Sequence, residues 1–146
     1  MQFYIIRADE LGRQLQEKLI RKARSGVRVY LLYDDYGSLG LDGKFTEDLR
    51  KAGVKVSSFM NIGDDANRFQ LNYRNHRKLV VVDGKTAFVG GQNVGDEYLG
   101  KHPTLTPWRD SQARFTGPVV TCLQLPFAED WNWATGELLK DLEKET

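Results

Sequence analysis

His76, Lys78, Asp83, Gly90, Gly91 and Asn93 follow one another with gaps of one, four, six, none and one residue. An imidazole changes charge near neutral pH and can attack phosphorus or shuttle a proton, while a lysine ammonium offers fixed positive charge to phosphate oxygens. Phosphoryl chemistry is what such a pair suits. On an extended chain His76 and Lys78 point to the same side, with Cα atoms roughly 6.5 to 7 Å apart. By themselves the two residues read as a solvated strand end with a scattered His and Lys. Only the whole run of spacing argues for a site.

These residues need a rigid support, and the hydrophobic pattern predicts one. Residues 3–6 form a short β-favouring run, and residues 9–25 carry Leu11, Leu15, Leu19 and Ile20 at helical spacing, with Asp9 as cap and Ser25-Gly26 as stop. A strand over 27–33, a loop over 34–43, a helix over 45–52 and a strand over 54–59 follow. After a polar loop at 61–71, residues 76–82 are expected as a strand. Asp83-Gly84 turns it into a second strand over 86–90. Val80 and Val82 lie on one side of the first strand, Leu79 and Val81 on the other, which makes the hairpin central in its sheet. Residues 93–98 start a helix or helical turn, 100–109 form a loop holding Pro103 and Pro107, 111–115 a strand and 118–133 a helix. The fold class expected is α/β, a mixed β-sheet flanked by helices on both faces, in a single domain over residues 1–146.

Composition narrows the chemistry further. The chain has 146 residues, 40% hydrophobic and 28% charged, with a net charge of +1, so no whole-molecule field recruits nucleic acid or an anionic membrane. Any anion site must be local. The lone Cys122 excludes an internal disulfide and a cysteine zinc cluster, and two histidines make a histidine-rich metal site improbable. Neither a metal nor a cofactor is expected. No apolar stretch approaches the ~20 residues that span a bilayer, and no basic leader precedes an apolar run. The first strand begins almost at Met1 and the last helix tails off into charged residues, as in a piece cut from a longer chain.

The spacing from His76 to Asn93 resembles the signature of the phospholipase D superfamily, without gap or insertion. Residues 72–78 (NYRNHRK), 90–100 (GGQNVGDEYLG) and Trp108-Arg109-Asp110 are similar to the first catalytic half of bacterial cardiolipin synthases. Gly37-Ser38, Gly53-Val54 and the stretch from Gly117-Pro118 to Trp131 extend the likeness over nearly the whole chain.

The resemblance implies a phospholipase D-like half-domain. Two such motifs meet across a pseudo-twofold axis, one histidine becoming phosphohistidine while the other protonates the leaving alcohol. His76 would be one of the two, as nucleophile or as acid. Lys78 and Asn93 would bind the phosphate oxygens, and Gly91 would join them in binding substrate. Asp83 belongs to the signature, although Asp before Gly also suits a tight turn and implies a structural role. Asp110 would accept a proton from His76 and orient it, with Asp96 and Glu97 as rivals. For Asn93 the bland alternative is a helix cap. Arg74, Arg77 and Arg109 flank the motifs and could meet a headgroup phosphate, although Arg77 faces away from His76 and reads better as a surface ion pair. His102 reads as a loop histidine, Trp131 and Trp133 as core.

The implied substrate is phosphatidylglycerol, two molecules of which are joined into cardiolipin. A second catalytic half or a homodimer mate would complete the site, because the chain holds no second His-x-Lys. The parent protein is expected at the bacterial inner membrane, the chain itself being soluble. Two other readings stay open: another phosphodiesterase of the superfamily, phospholipase or nuclease, and a catalytically incomplete module.

Overall fold

Asp9 opens the first helix by accepting the Gly12 amide at 3.0 Å, so α1 runs over Glu10–Arg24 from a capped end. Leu11, Leu15, Leu19 and Ile20 place one apolar stripe along it, directed onto Leu31, Phe45, Leu49 and Val54. The computed structural model describes residues 1–59 and 75–139. Its strands are β1 (Gln2–Phe3), β2 (Tyr30–Asp34), β3 (Lys55–Phe59), β4 (Leu79–Val82), β5 (Thr86–Gly90) and β6 (Gln112–Thr116). Helix α2 (Gly43–Lys51) is capped by Asp42, a short 3-10 turn spans Asp96–Leu99, and α3 covers Val119–Thr135. The predicted loop at 61–71 lies outside the described residues.

The six strands form one sheet in the order β3-β2-β1-β4-β5-β6. Strands β1, β2 and β3 run parallel, whereas β4 is antiparallel to β1, and β4, β5 and β6 form an antiparallel meander. This is a mixed sheet with helices on both faces, as expected. Successive residues of β2 divide the core: Leu31 belongs to the cluster with α1 and α2, and Leu32 to the cluster with Val120, Phe127 and Trp131 of α3. Burying each of these larger side chains is worth roughly 2 kcal/mol. No helix among the described residues is long and apolar enough to cross a membrane.

Strand β4 lies between β1 and β5, so the predicted central hairpin is present. Asp83 (φ 52°) and Gly84 (φ 62°) both take left-handed backbone, the mirror-image turn that matches strand twist. The hairpin is apolar on both faces but covered on one: Leu79 is buried under α3, while Val82 and Phe88 on the opposite face are exposed.

Strand β2 begins at Tyr30 rather than 27 and β3 at Lys55 rather than 54, while β1 and β4 are shortened where side chains hold the backbone. In place of residues 3–6, only Gln2 and Phe3 join β1, with Ile6 in a lone bridge to Val94. The backbone between them is taken by side chains, the Tyr4 carbonyl by Ser38 Oγ and the Ile5 amide by Asn93 Oδ1. Likewise β4 begins at Leu79 rather than at His76: Asn75 and Arg77 are held by Asp130, and beyond the strand only a long 3.4 Å bond from the Gly90 amide to the Lys78 carbonyl continues the pairing with β5.

Candidate active site

The segment entering β4 sits beside the end of β1, and His76 meets Tyr4 there with ring centroids 4.7 Å apart at 55°. Lys78 is buried, 5% exposed, which is rare for a lysine. Its Nζ donates to the His76 carbonyl at 2.7 Å, lies 2.9 Å from His76 Nδ1, and stands 5.4 Å from the Tyr4 ring centroid. An ammonium has only donors, so Nδ1 accepts in this arrangement and the ring proton belongs on Nε2. The alternation expected of a strand therefore brings His76 and Lys78 together even though both precede β4.

Burial pushes the His76 imidazole below its usual pKa, the Lys78 charge adds to that shift, and Asp34 opposes it. Burial likewise lowers the Lys78 ammonium, with the charge of Asp110 pulling the other way. Asp110 lies close enough to be felt by Lys78. Its carboxylate accepts from the Trp108 indole at 3.3 Å and from the Ser111 amide at 3.0 Å. No hydrogen bond joins Asp110 to His76 among the described residues; the group His76 Nδ1 meets is Lys78.

The two glycines make room for this. A Cβ on Gly91 would lie 2.0 Å from Asp110 Oδ1, and one on Gly90 2.3 Å from the Ser111 carbonyl. Gly91 was expected among the substrate-binding residues. Its amide donates to the Ser111 carbonyl at 3.1 Å, and its missing side chain leaves space for Asp110.

Asn93 is buried and anchors the neighbouring backbone. Its Oδ1 accepts from the Ile5 amide at 2.9 Å, and its Nδ2 donates to Tyr98 Oη at 3.0 Å. The helix-capping alternative for Asn93 does not hold, since the 3-10 turn starts after Gly95 without a side-chain cap. One Nδ2 hydrogen is left uncommitted by these bonds.

Asp83 is not brought to the site. It is exposed in the turn at the far end of β4, five extended residues and on the order of 15 Å from Lys78. Its place in the signature corresponds to a turn and not to a reacting group. The rivals of Asp110 also have other work: Asp96 accepts from the Glu10 and Leu11 amides at the start of α1, and Glu97 faces Arg7 at 3.7 Å. Arg77 pairs with Asp130 at 2.7 Å, away from His76, as expected. Arg109 is exposed, His102 lies in its loop against Thr104, and Arg74 falls outside the described residues.

Three residues near the site escaped sequence reasoning. Asp34, buried at the carboxyl end of β2, accepts from the Tyr36 and Gly37 amides and from the Asn75 amide at 3.4 Å. Ser38 holds Tyr4 and Ile6, and Tyr4 supplies the ring against His76. An Asp ending an apolar strand at the carboxyl edge of parallel strands was a usable signal, because sites in open α/β sheets gather there. Tyr4 gave none.

Residues 1–103 match the family described as cardiolipin synthase, PLD-like domain. The chain belongs to this family. Among curated relatives, this PLD-like domain is 59% identical over 137 residues to cardiolipin synthase A of Pseudomonas fluorescens strain SBW25. It is 55% identical over 138 residues to that of Pseudomonas putida strain GB-1, and 57% identical over 138 residues to that of Pseudomonas fluorescens strain Pf-5. Each alignment covers 94% of this chain but 29% of the relative.

Proposed function

We propose that this PLD-like domain is one half-site of a phosphatidyltransferase that makes cardiolipin from two molecules of phosphatidylglycerol. The observation that carries the reading is the buried Lys78 ammonium, held 2.9 Å from His76 Nδ1 in a chain of this family. A buried cation gains most from an anion that reaches it, and a phosphodiester oxygen is such an anion.

Bound phosphate competes with His76 for Lys78. Once Lys78 turns to the phosphate, Nδ1 is free to carry the ring proton, and Asp110, already near Lys78, is the carboxylate to receive that hydrogen bond. The lone pair is then on Nε2. In the first step Nε2 attacks phosphorus, the bond from phosphorus to the glycerol headgroup oxygen breaks, and the second half's histidine gives that oxygen its proton. In the second step a headgroup hydroxyl of another phosphatidylglycerol attacks phosphorus. The phosphorus–nitrogen bond breaks, and the hydroxyl proton returns to the second histidine. Under this assignment His76 is the nucleophile; exchanging the two histidines gives it the acid's role. Lys78 and the remaining Nδ2 hydrogen of Asn93 would stabilise the charge gathered on the phosphoryl oxygens.

The pairing partner is the second catalytic half, and the reaction takes place at the bacterial inner membrane. The test is incubation of the chain with phosphatidylglycerol vesicles, with and without a separately expressed second half, beside His76→Ala. Cardiolipin and free glycerol are expected with the partner and not with the variant. Cleavage of nucleic acid without cardiolipin formation would leave phosphodiester chemistry standing and remove the lipid assignment.

A further inference from the structure

His76 is aimed by its neighbours in sequence. Asn75 Nδ2 and Arg77 Nη1 both donate to one oxygen, Oδ2 of Asp130 on α3, at 2.6 and 2.7 Å. Gln2 Nε2 of β1 donates to the same oxygen at 2.8 Å. Asn75 also takes the Arg77 amide on its Oδ1 at 3.3 Å, so the two residues flanking His76 are tied to each other as well as to the helix. On an extended chain this fixes the odd residues toward α3, which sends the even ones, His76 and Lys78, to the opposite side.

The anchor itself is firm. Asp130 lies between Phe127 and Trp131 in α3, both buried in the core, and its side chain is 14% exposed. Gln2 is buried with its Oε1 unpartnered among the described residues, so its amide is turned to satisfy Asp130 at the expense of its own oxygen. Asp130 also lies beyond residues 1–103, the part that matches the family.

We infer that Asp130 is the positioning residue of this site, its Oδ2 setting the aim of His76 and Lys78 by holding Asn75 and Arg77 on the other side of the chain. The inference rests on reading His76 and Lys78 as the reacting pair, and its test therefore reads their geometry and not turnover.

The groups that face His76 are Lys78 of its own segment, Tyr4 from β1 and Asp34 from β2; Asp130 reaches it only through Asn75 and Arg77. Two effects of Asp130→Ala then differ in sign. Removing a negative charge and leaving Arg77 unpaired would, as electrostatics alone, lower the His76 pKa. Releasing the segment moves His76 away from Lys78 and into water, which raises it toward the ordinary imidazole value. The measurement is the titration of the His76 imidazole by nitrogen-resolved NMR in the whole chain, with His102→Gln clearing the other histidine. A rise in Asp130→Ala is expected, with a smaller rise in Asp130→Asn, which keeps an acceptor oxygen. If Asp130→Ala does not fold, Asn75→Ala is expected to give the same rise. A fall, or no change, in a folded variant overturns the inference, whatever the substrate of the enzyme proves to be.

Discussion

Lys78 is a residue whose stability and function pull in opposite directions. Its ammonium is buried against His76 and the Tyr4 ring, with Asp110 felt at a distance and no carboxylate in ion-pair contact among the described residues. A buried charge so held costs several kcal/mol before its hydrogen bonds are counted. Lys78→Met keeps the stem and removes the charge, so it is expected to stabilise the fold by about 1 kcal/mol while abolishing the proposed transfer in the presence of the second half; urea unfolding checks the first and vesicle assays the second. The same substitution raises the His76 pKa, because the neighbouring cation is one of the two causes holding it down. The sign for stability follows. With its folded pKa depressed, His76 contributes fully above the ordinary imidazole value of 6.5, and that contribution is lost as pH falls through the folded value. In Lys78→Met the acid-side loss is shallower, and unfolding midpoints followed between roughly pH 7 and 5 would show it.

At the scale of elements, the hairpin β4–β5 carries the site at one end and its turn at the other, and the two are separable. Asp83 at φ 52° adopts a backbone that Asn and Gly accept and β-branched residues resist by about 1–2 kcal/mol. Asp83→Asn is therefore expected to leave both stability and activity near those of the parent, and Asp83→Val to lower the unfolding free energy by that amount with the His76 titration unmoved. A large loss of activity in a stable Asp83→Asn would return Asp83 to the chemistry. This turn was readable because Asp-Gly between apolar runs is a local signal, as were the caps of α1 at Asp9 and the stop at Ser25-Gly26. The contacts that escaped are all between residues distant in sequence. Asp96 completes the start of α1 from 85 positions away, and Asp130 holds Asn75 from 55. No window of sequence contains both partners, and each carboxylate by itself looks like a solvated surface charge. The Asn93 side chain is likewise tied to a distant partner, its Oδ1 accepting the Ile5 amide across 88 positions while its Nδ2 donates to Tyr98 in the neighbouring turn. Trp133 was expected in the core with Trp131; Trp131 is there, while Trp133 remains half exposed and stacks on Phe59 at 4.4 Å, an aromatic pair that needs only one covered face.

The whole molecule holds one His-x-Lys and spans 29% of the length of the relatives it matches, while the proposed exchange needs two histidines on opposite sides of phosphorus. Pairing must then show in the order of the reaction. If two copies of the chain supply the two histidines across a twofold axis, cardiolipin formed per chain rises in proportion to chain concentration until the dimer saturates, and mixing with excess His76→Ala suppresses it by forming one-histidine pairs. If the mate is a separate second half, the chain alone has no such rise at any concentration, and activity instead saturates with added partner at one partner per chain. The second outcome is expected, because the chain covers a minor part of its relatives, leaving length there for a distinct half. Rate against concentration, with and without that half, separates the two. Activity that is first order in the chain alone and unaffected by excess His76→Ala would mean that one histidine suffices, and would displace the paired mechanism together with the role given to the second half.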